Sequence, residues 1–282
     1  MILFKNSMEL AGYIISCKAA GKKTGFVPTM GALHPGHQSL LESSMLSTDL
    51  TVCSIFINPT QFNDPADFRR YPLTIEQDVY LLEQSGVDIL FLPEVNEIYP
   101  NGTGQLPQYD LGNLEDILEG KYRPGHFQGV CQVMHRLLDV VQPNHLYMGQ
   151  KDYQQCLVVK RLIQMIESNV VLHTCPTVRE SDGLAMSSRN MRLTEQDRKK
   201  ALAIHDVLKN IKENIRPGSL GKLITDGRMK LEQNDLVPDY LEIAHASSLQ
   251  PVTNWDGNAP LIALAAAYIH EVRLIDNMRL ND

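Results

Sequence analysis

Thr24-Gly25-Phe26-Val27-Pro28-Thr29-Met30-Gly31-Ala32-Leu33-His34-Pro35-Gly36-His37 decides the fold: a short apolar run breaks into a stretch with two glycines and two histidines. Leu40, Leu41, Met45 and Leu46 then recur at helical spacing, so the stretch reads as a strand, a turn and the start of an amphipathic helix. A helix start presents unpaired N–H groups and the positive end of the macrodipole, which favours an anion such as a triphosphate. Gly31 and Gly36 remove side chains where a ligand would approach the backbone. His34 and His37, three apart, share one face of the first turn, and both can donate to phosphate oxygens.

A histidine beside a glycine is also an ordinary satisfied polar residue, and an HxxH pair on a helix can ligate zinc. Zinc would require a third ligand nearby, but the chain has no Cys-x-x-Cys and no second such histidine pair. Phosphate binding is the reading carried forward, with no metal expected on protein side chains. Gly21-Lys22-Lys23-Thr24 resembles the end of a P-loop but lacks its upstream glycine, and Gly102-Thr103-Gly104 lacks a third glycine and a preceding strand.

Working outward, 282 residues at 43% hydrophobic content suffice for one large or two modest domains with their own cores. The 26 Lys and Arg against 33 Asp and Glu leave a formal net charge of −7, which argues against a general nucleic-acid or anionic-membrane binder. Cys17, Cys53, Cys131, Cys156 and Cys175 are odd in number, widely spaced and set in apolar segments, as expected of reduced thiols in a cytosolic core. Lys5 and Glu9 interrupt any secretory-type apolar run, and Leu261 to Ile269 is too short to span a bilayer. A soluble, cytoplasmic protein is expected.

From Thr24 to about Thr174, apolar runs alternate with helical patterns: Leu50 to Ile57, a helix from Thr74 through Leu82, Val87 to Leu92, helices over Gln128 to Val141 and Asp152 to Glu167, and strands at His145 to Met148 and Val170 to Leu172. That is the signature of a parallel α/β sheet. Thr74-Ile75-Glu76-Gln77 has the form of a capping box, and Thr194-Glu195-Gln196-Asp197 that of a helix cap. After Pro176 come two helices, Thr194 to Asn214 and Leu220 to Gln233, and strands near Tyr240 to Ala244, Leu261 to Ile269 and Glu271 to Ile275. The predicted organisation is an α/β domain over 1–176 and a smaller α+β domain over 177–282.

Four further blocks carry chemistry-bearing residues. In Ser54-Ile55-Phe56-Ile57-Asn58-Pro59-Thr60-Gln61-Phe62 a strand ends in two amides flanked by aromatics, either a plain turn or an apolar slot fit for a small hydroxy acid. Arg123-Pro124-Gly125-His126-Phe127-Gln128-Gly129 places a guanidinium before a helix, where it could clamp a phosphate or carboxylate. Met148-Gly149-Gln150-Lys151-Asp152 joins another strand to a helix, with Lys151 set for a phosphate and Asp152 for an N-cap or a ribose. Ligand crevices in open parallel sheets lie at strand C-termini, so such turns converge on one edge. Thr177 to Asn190, with Val178, Arg179, Met186, Ser187, Ser188 and Arg189, reads as a solvated loop or as a clamp closing over a triphosphate.

In this order the five blocks resemble the pantoate-beta-alanine ligase family, from Met1 to Met278. The histidine turn resembles the HIGH motif of the class I synthetase and nucleotidylyltransferase superfamily, and Met186-Ser187-Ser188-Arg189 stands in the place of its KMSKS loop. The resemblance implies a Rossmann-like domain with a smaller C-terminal lid, in a homodimer. It further implies that Met30, Gly31, Ala32, Leu33, His34, Pro35, Gly36, His37, Gly149, Gln150, Lys151, Asp152, Val178, Met186, Ser187, Ser188 and Arg189 surround ATP. Gln61 would hold pantoate and β-alanine, Gln155 pantoate, with Asn58 and Arg123 nearby, and His37 stands where the family places a proton donor. The implied reaction is ATP-dependent ligation through a pantoyl adenylate, with Mg2+ on the phosphates and His34, His37, Lys151, Ser187, Ser188 and Arg189 stabilising charge. A nucleotidylyltransferase acting on a phosphate ester and a non-catalytic ATP sensor are the alternatives. Two departures stand out: Gln150 where Glu is usual, and Ile269-His270-Glu271-Val272 in place of a commonly glycine-bearing stretch.

Overall fold

The computed structural model describes residues 1–281. Two compact units account for them: residues 1–150 with 155–176, and residues 151–154 with the chain from Thr177 onward.

The first unit contains β1 (Ile2–Phe4), α1 (Ser7–Ala19), β2 (Thr24–Thr29), α2 (Pro35–Met45), β3 (Leu50–Ile55), α3 (Pro65–Arg69), α4 (Ile75–Gln84), β4 (Ile89–Phe91), α5 (Val95–Ile98), α6 (Leu118–Tyr122), α7 (His126–Val141), β5 (His145–Gly149), most of α8 (Tyr153–Met165) and β6 (Val171–Cys175). Its six strands form one parallel sheet in the order β1-β4-β3-β2-β5-β6. Successive strand residues feed opposite faces. Phe26, Val52 and Ile89 join α1, α7 and α8 in one core, while Val27, Cys53 and Leu90 join Leu40 and Leu41 of α2 and Leu82 of α4 in another. A parallel sheet buried on both sides needs such unbroken apolar runs. None of the five cysteines forms a disulfide, and burial pushes the Cys53 and Cys131 thiols up to about 12, so both behave as small hydrophobes.

β1 and α1 lie outside the elements expected from sequence. Asn6 caps α1 by accepting from the Met8 and Glu9 amides, and Leu10, Ile14 and Cys17 form its buried stripe. α4 matches the expected helix, but its cap does not have the expected form. The Thr74 hydroxyl makes no cap bond and donates instead to the Asp78 carboxylate, 3.1 Å away.

In the second unit α9 (Glu195–Asn214), β7 (Gly218–Ser219), α10 (Gly221–Glu232), β8 (Val237–His245), β9 (Asn254–Trp255), β10 (Leu261–Ile269) and β11 (Val272–Arg279) follow one another. β8, β10 and β11 make an antiparallel sheet in the order β11-β10-β8, covered by α9 and α10 around a separate core that includes Leu208, Leu231, Leu241 and Leu261. A larger Rossmann-like α/β part and a smaller α+β part are therefore both present. Thr194 and Asp197 cap α9 reciprocally, as their spacing predicts.

Candidate active site

Strand order reverses between β2 and β5: β3 and β4 lie to one side of this pair and β6 to the other. Crevices at such switch points receive ligands. The two strands pair only at Gly25 with His145 and Phe26 with Leu146. Thr24 points its carbonyl at β5, accepting from the Asn144 amide at 2.8 Å, and Pro28 four residues on faces the same way without an N–H to give. The proline therefore helps end the ladder where the histidine turn begins.

In that turn Gly31 (φ +82°) and Ala32 (φ +50°) are both left-handed, a conformation that costs a residue with a Cβ about 1–2 kcal/mol. Consecutive amides are thereby aimed at the buried Asp78 carboxylate: Ala32 N–H lies 2.9 Å from Oδ2 and Leu33 N–H 2.8 Å from Oδ1. His34 then caps α2, with Pro35 in the first turn. Its Nδ1 accepts from the Gly36 amide at 3.1 Å, and the His37 Nδ1 accepts from the His34 amide at 3.3 Å. A ring nitrogen that accepts an amide proton carries none itself, so the hydrogen-bond network assigns the proton of each neutral ring to Nε2. The rings sit 4.1 Å apart, centroid to centroid.

A second polar cluster surrounds Gln61. Asn58, fully buried, donates to Gln61 Oε1 at 3.2 Å and to the Gly129 carbonyl at 3.0 Å, while the Tyr99 hydroxyl donates to Asn58 Oδ1 at 2.8 Å. Gln61 Nε2 lies 3.3 Å from the Met30 sulfur, which ties this cluster to the start of the histidine turn. α7 packs directly on the turn at Pro59–Gln61, where a Cβ on Gly129 would come within 2.3 Å of the Thr60 carbonyl oxygen. Arg123 faces the same cluster: it lies 3.2 Å from His126 Nε2 and 3.8 Å from a Glu119 oxygen, and His126 Nδ1 donates to the Gln61 carbonyl at 2.8 Å. Through His126, and by its own Nη2 at 3.5 Å from the Gln61 carbonyl, Arg123 braces the Gln61 backbone. A cavity of about 350 Å³ adjoins the turn, lined by Met30, Gly31, Phe56, Leu73, Asp78 and Leu92 among others.

Gly149 ends β5, and Gln150, Lys151 and Asp152 form a 3-10 turn leading into α8, whose first turn carries the half-buried Gln155. Within the second unit the Lys151 carbonyl accepts from Asn277 of β11 at 2.9 Å, and the Tyr153 hydroxyl donates to the Ala246 carbonyl. The Val178 to Arg189 loop is a tight hairpin, with the Met186 amide donating to the Val178 carbonyl and Arg179 bridged to Ala185. Arg179 forks onto Asp276 of β11 at 2.6 and 3.0 Å, with the Asp276 side chain 4% exposed. Ser187 accepts from the Arg189 amide and starts the 3-10 turn Ser188–Arg192, with Ser188 buried.

Each histidine-turn residue expected near ATP thus lies in the first unit, and Lys151, Asp152, Val178, Met186, Ser187, Ser188 and Arg189 in the second. Sequence reading missed Asp78, Tyr99, Asp276 and Asn277 as supports. Their signal is long-range pairing, which no local pattern carries. Among the described residues no group of three or more His, Cys, Asp or Glu could hold a metal ion.

Comparison with known proteins places this geometry. The family model described as pantoate-beta-alanine ligase matches residues 2–279. The chain is 38% identical over its full length to pantothenate synthetase of Porphyromonas gingivalis, covering 100% of that protein, and 41% identical to that of Acetivibrio thermocellus, covering 99% of each chain. Among solved structures, pantothenate synthetase from Thermus thermophilus aligns over 100% of both chains at 40% identity and TM-score 0.90. The Francisella tularensis pantoate-beta-alanine ligase, complexed with beta-gamma ATP and beta-alanine, aligns at 37% identity and TM-score 0.84 over 99% of this chain and 98% of that one. With its histidine turn at the switch point of the sheet and its whole length matched, the chain belongs to the pantoate-beta-alanine ligase family.

Proposed function

We propose that this protein joins pantoate to β-alanine at the expense of ATP, in two steps. A pantoate carboxylate oxygen attacks the α-phosphorus, the bond to the β-phosphate oxygen breaks, and pyrophosphate leaves. The β-alanine amine then attacks the acyl carbon, the bond to the AMP oxygen breaks, and the amine gives up a proton. No enzyme nucleophile takes part. The protein's contribution is positioning and charge stabilisation. His34 and His37 donate through Nε2 to phosphate oxygens, because their Nδ1 atoms are engaged by backbone amides. Lys151, Ser187, Ser188 and Arg189 are further donors suited to phosphate oxygens. Gln61, held by Asn58 and His126, and Gln155 bind pantoate.

Mg2+ belongs to this proposal as an ion carried on the nucleotide's phosphates, the usual way this hard cation is bound beside a nucleotide. Bound there, it would neutralise phosphate charge. The homodimer implied by the resemblance belongs to the same proposal.

The observation that carries the reading is the histidine turn at the β2–β5 switch point in a chain matched to the family from residue 2 to 279. The nearby amide and aromatic cluster at Asn58 to Phe62 suits a small hydroxy acid better than a phosphate ester, which would want a basic pocket. The test is an assay with ATP, pantoate and β-alanine that follows pyrophosphate and AMP. Pyrophosphate release should require pantoate, and AMP release should require both acids. His37→Ala should lower pyrophosphate release by about 100-fold or more while the protein stays folded. AMP formed without pantoate, or a His37→Ala enzyme as fast as the parent, would overturn the assignment.

A further inference from the structure

We infer that Asp78 is a positioning residue for the adenylation step: it is an internal anion that holds the histidine turn in its working shape. The inference rests on the proposed function. Asp78 comes from α4, remote in sequence from the turn, and is 2% exposed. Its carboxylate receives three donors: the Ala32 amide at 2.9 Å, the Leu33 amide at 2.8 Å and the Thr74 hydroxyl at 3.1 Å. It also lies in the first turn of α4, where the helix dipole favours negative charge.

Two successive amides turned the same way by left-handed backbone form an anion-binding concavity. In many proteins such a nest holds a ligand phosphate, and the backbone from Met30 to Leu33 is where the sequence places ATP. Here the nest is filled from within the protein. Ala32 and Leu33 therefore spend their amide protons on Asp78, and the phosphate-facing donors of the turn are left to the histidines that follow. The fit is close: a Cβ on Gly31 would sit 3.0 Å from Asp78 Oδ2. Hydrogen bonds to an ionised acceptor are about twice as strong as neutral ones, which suits the carboxylate to holding a left-handed alanine in place. Leu33 is joined directly to His34, whose ring and amide organise His37. A shift of the clamp would thus reach both imidazoles. It would leave Gln61 on its own supports, Asn58 and His126.

Asp78→Asn tests this. It keeps the shape, but its one carbonyl can serve only one of the two amides, and its NH2 group would face the other. We expect kcat for pantoate-dependent pyrophosphate release to fall about 10-fold to 100-fold, with KM for pantoate within about twofold of the parent. Hydrogen exchange should quicken at the Ala32 and Leu33 amides by about 10-fold or more while β3 and α7 keep their protection. Asp78→Glu retains the charge but displaces it by one methylene, and serves if the asparagine variant does not fold. It should show a smaller kcat loss, again at constant KM. Either variant with parental kcat overturns the inference. So does protection lost evenly across the first unit, which would make Asp78 a general structural carboxylate. A parent enzyme that releases no pyrophosphate with pantoate would instead overturn the proposed function. Exchange at Ala32 and Leu33 would then still decide whether the clamp exists.

Discussion

Nδ1 of His34 and Nδ1 of His37 each accept a backbone amide proton, so two side chains that could have been metal ligands, bases or acids are committed to presenting Nε2. That commitment was half legible in the sequence. The spacing of the pair at a helix start indicated one face and a phosphate, but which nitrogen points outward depends on cap bonds only the folded turn makes. Gln61 shows the same division. Its residue type and strand-end position marked it, whereas the supports that aim it run through neighbouring Asn58 to Tyr99 and through His126, both on distant segments. Removing the Gln61 amide should cost a hydrogen bond to pantoate without disturbing the phosphates. Gln61→Ala is expected to raise KM for pantoate by about 5-fold to 100-fold, the equivalent of about 1–3 kcal/mol. Steady-state kinetics with pantoate varied at saturating ATP reads it, and an unchanged KM would place pantoate elsewhere.

Elements form largely as their periodicity dictates. α9 begins where Thr194 and Asp197 cap each other, and its length matches the expected helix to within a residue. The Asp197 carboxylate is held below the usual range, first by the Thr194 hydroxyl and further by the Thr194 amide and by His270. His270 takes the left-handed conformation (φ +50°) in the β10–β11 turn, and its Nε2 lies 3.2 Å from Asp197 Oδ1. A carboxylate whose folded value is depressed stabilises the fold above its unfolded pKa of about 3.9, and that contribution is lost as pH falls through the folded value. Asp197→Asn should therefore melt below the parent at neutral pH, with the gap narrowing below about pH 4. Melting curves across pH 2.5 to 7, on the order of ten points, would show it, and a gap that widens in acid contradicts the cap's role. The elements the sequence did not show include the 13-residue α1, whose buried stripe is only Leu10, Ile14 and Cys17, and several shorter ones. β1 has three residues at a sheet edge, too few to carry a period, and Thr74 abandoned its capping box because a buried carboxylate offered a better partner.

At the scale of the whole chain, two units with separate cores predict two unfolding components rather than one. The Arg179–Asp276 fork belongs entirely to the second unit and ties its Val178 to Arg189 hairpin to β11. Taking away the guanidinium leaves a nearly buried carboxylate without its partner, at a cost of about 3–5 kcal/mol. Calorimetry of Arg179→Met should show one component lowered by about 10 °C or more with the other unmoved. A uniform shift of both components, or none, would refute the independence of the two cores.

The sequence by itself determined the alternating α/β plan, the later change to α+β, the histidine turn and the family to which these belong, because hydrophobic period, glycine placement and motif order are local properties of a chain. The tertiary structure alone decided how that turn is held. Pro28 ends the β2–β5 ladder because β5 is its neighbour, and Asp78 fills the nest of Ala32 and Leu33 because α4 packs there. Asn58 and His126 aim Gln61 because α7 lies against its turn. Each is a hydrogen bond made or withheld between residues far apart in the chain, and such bonds exist only once burial in the folded core has brought the partners together.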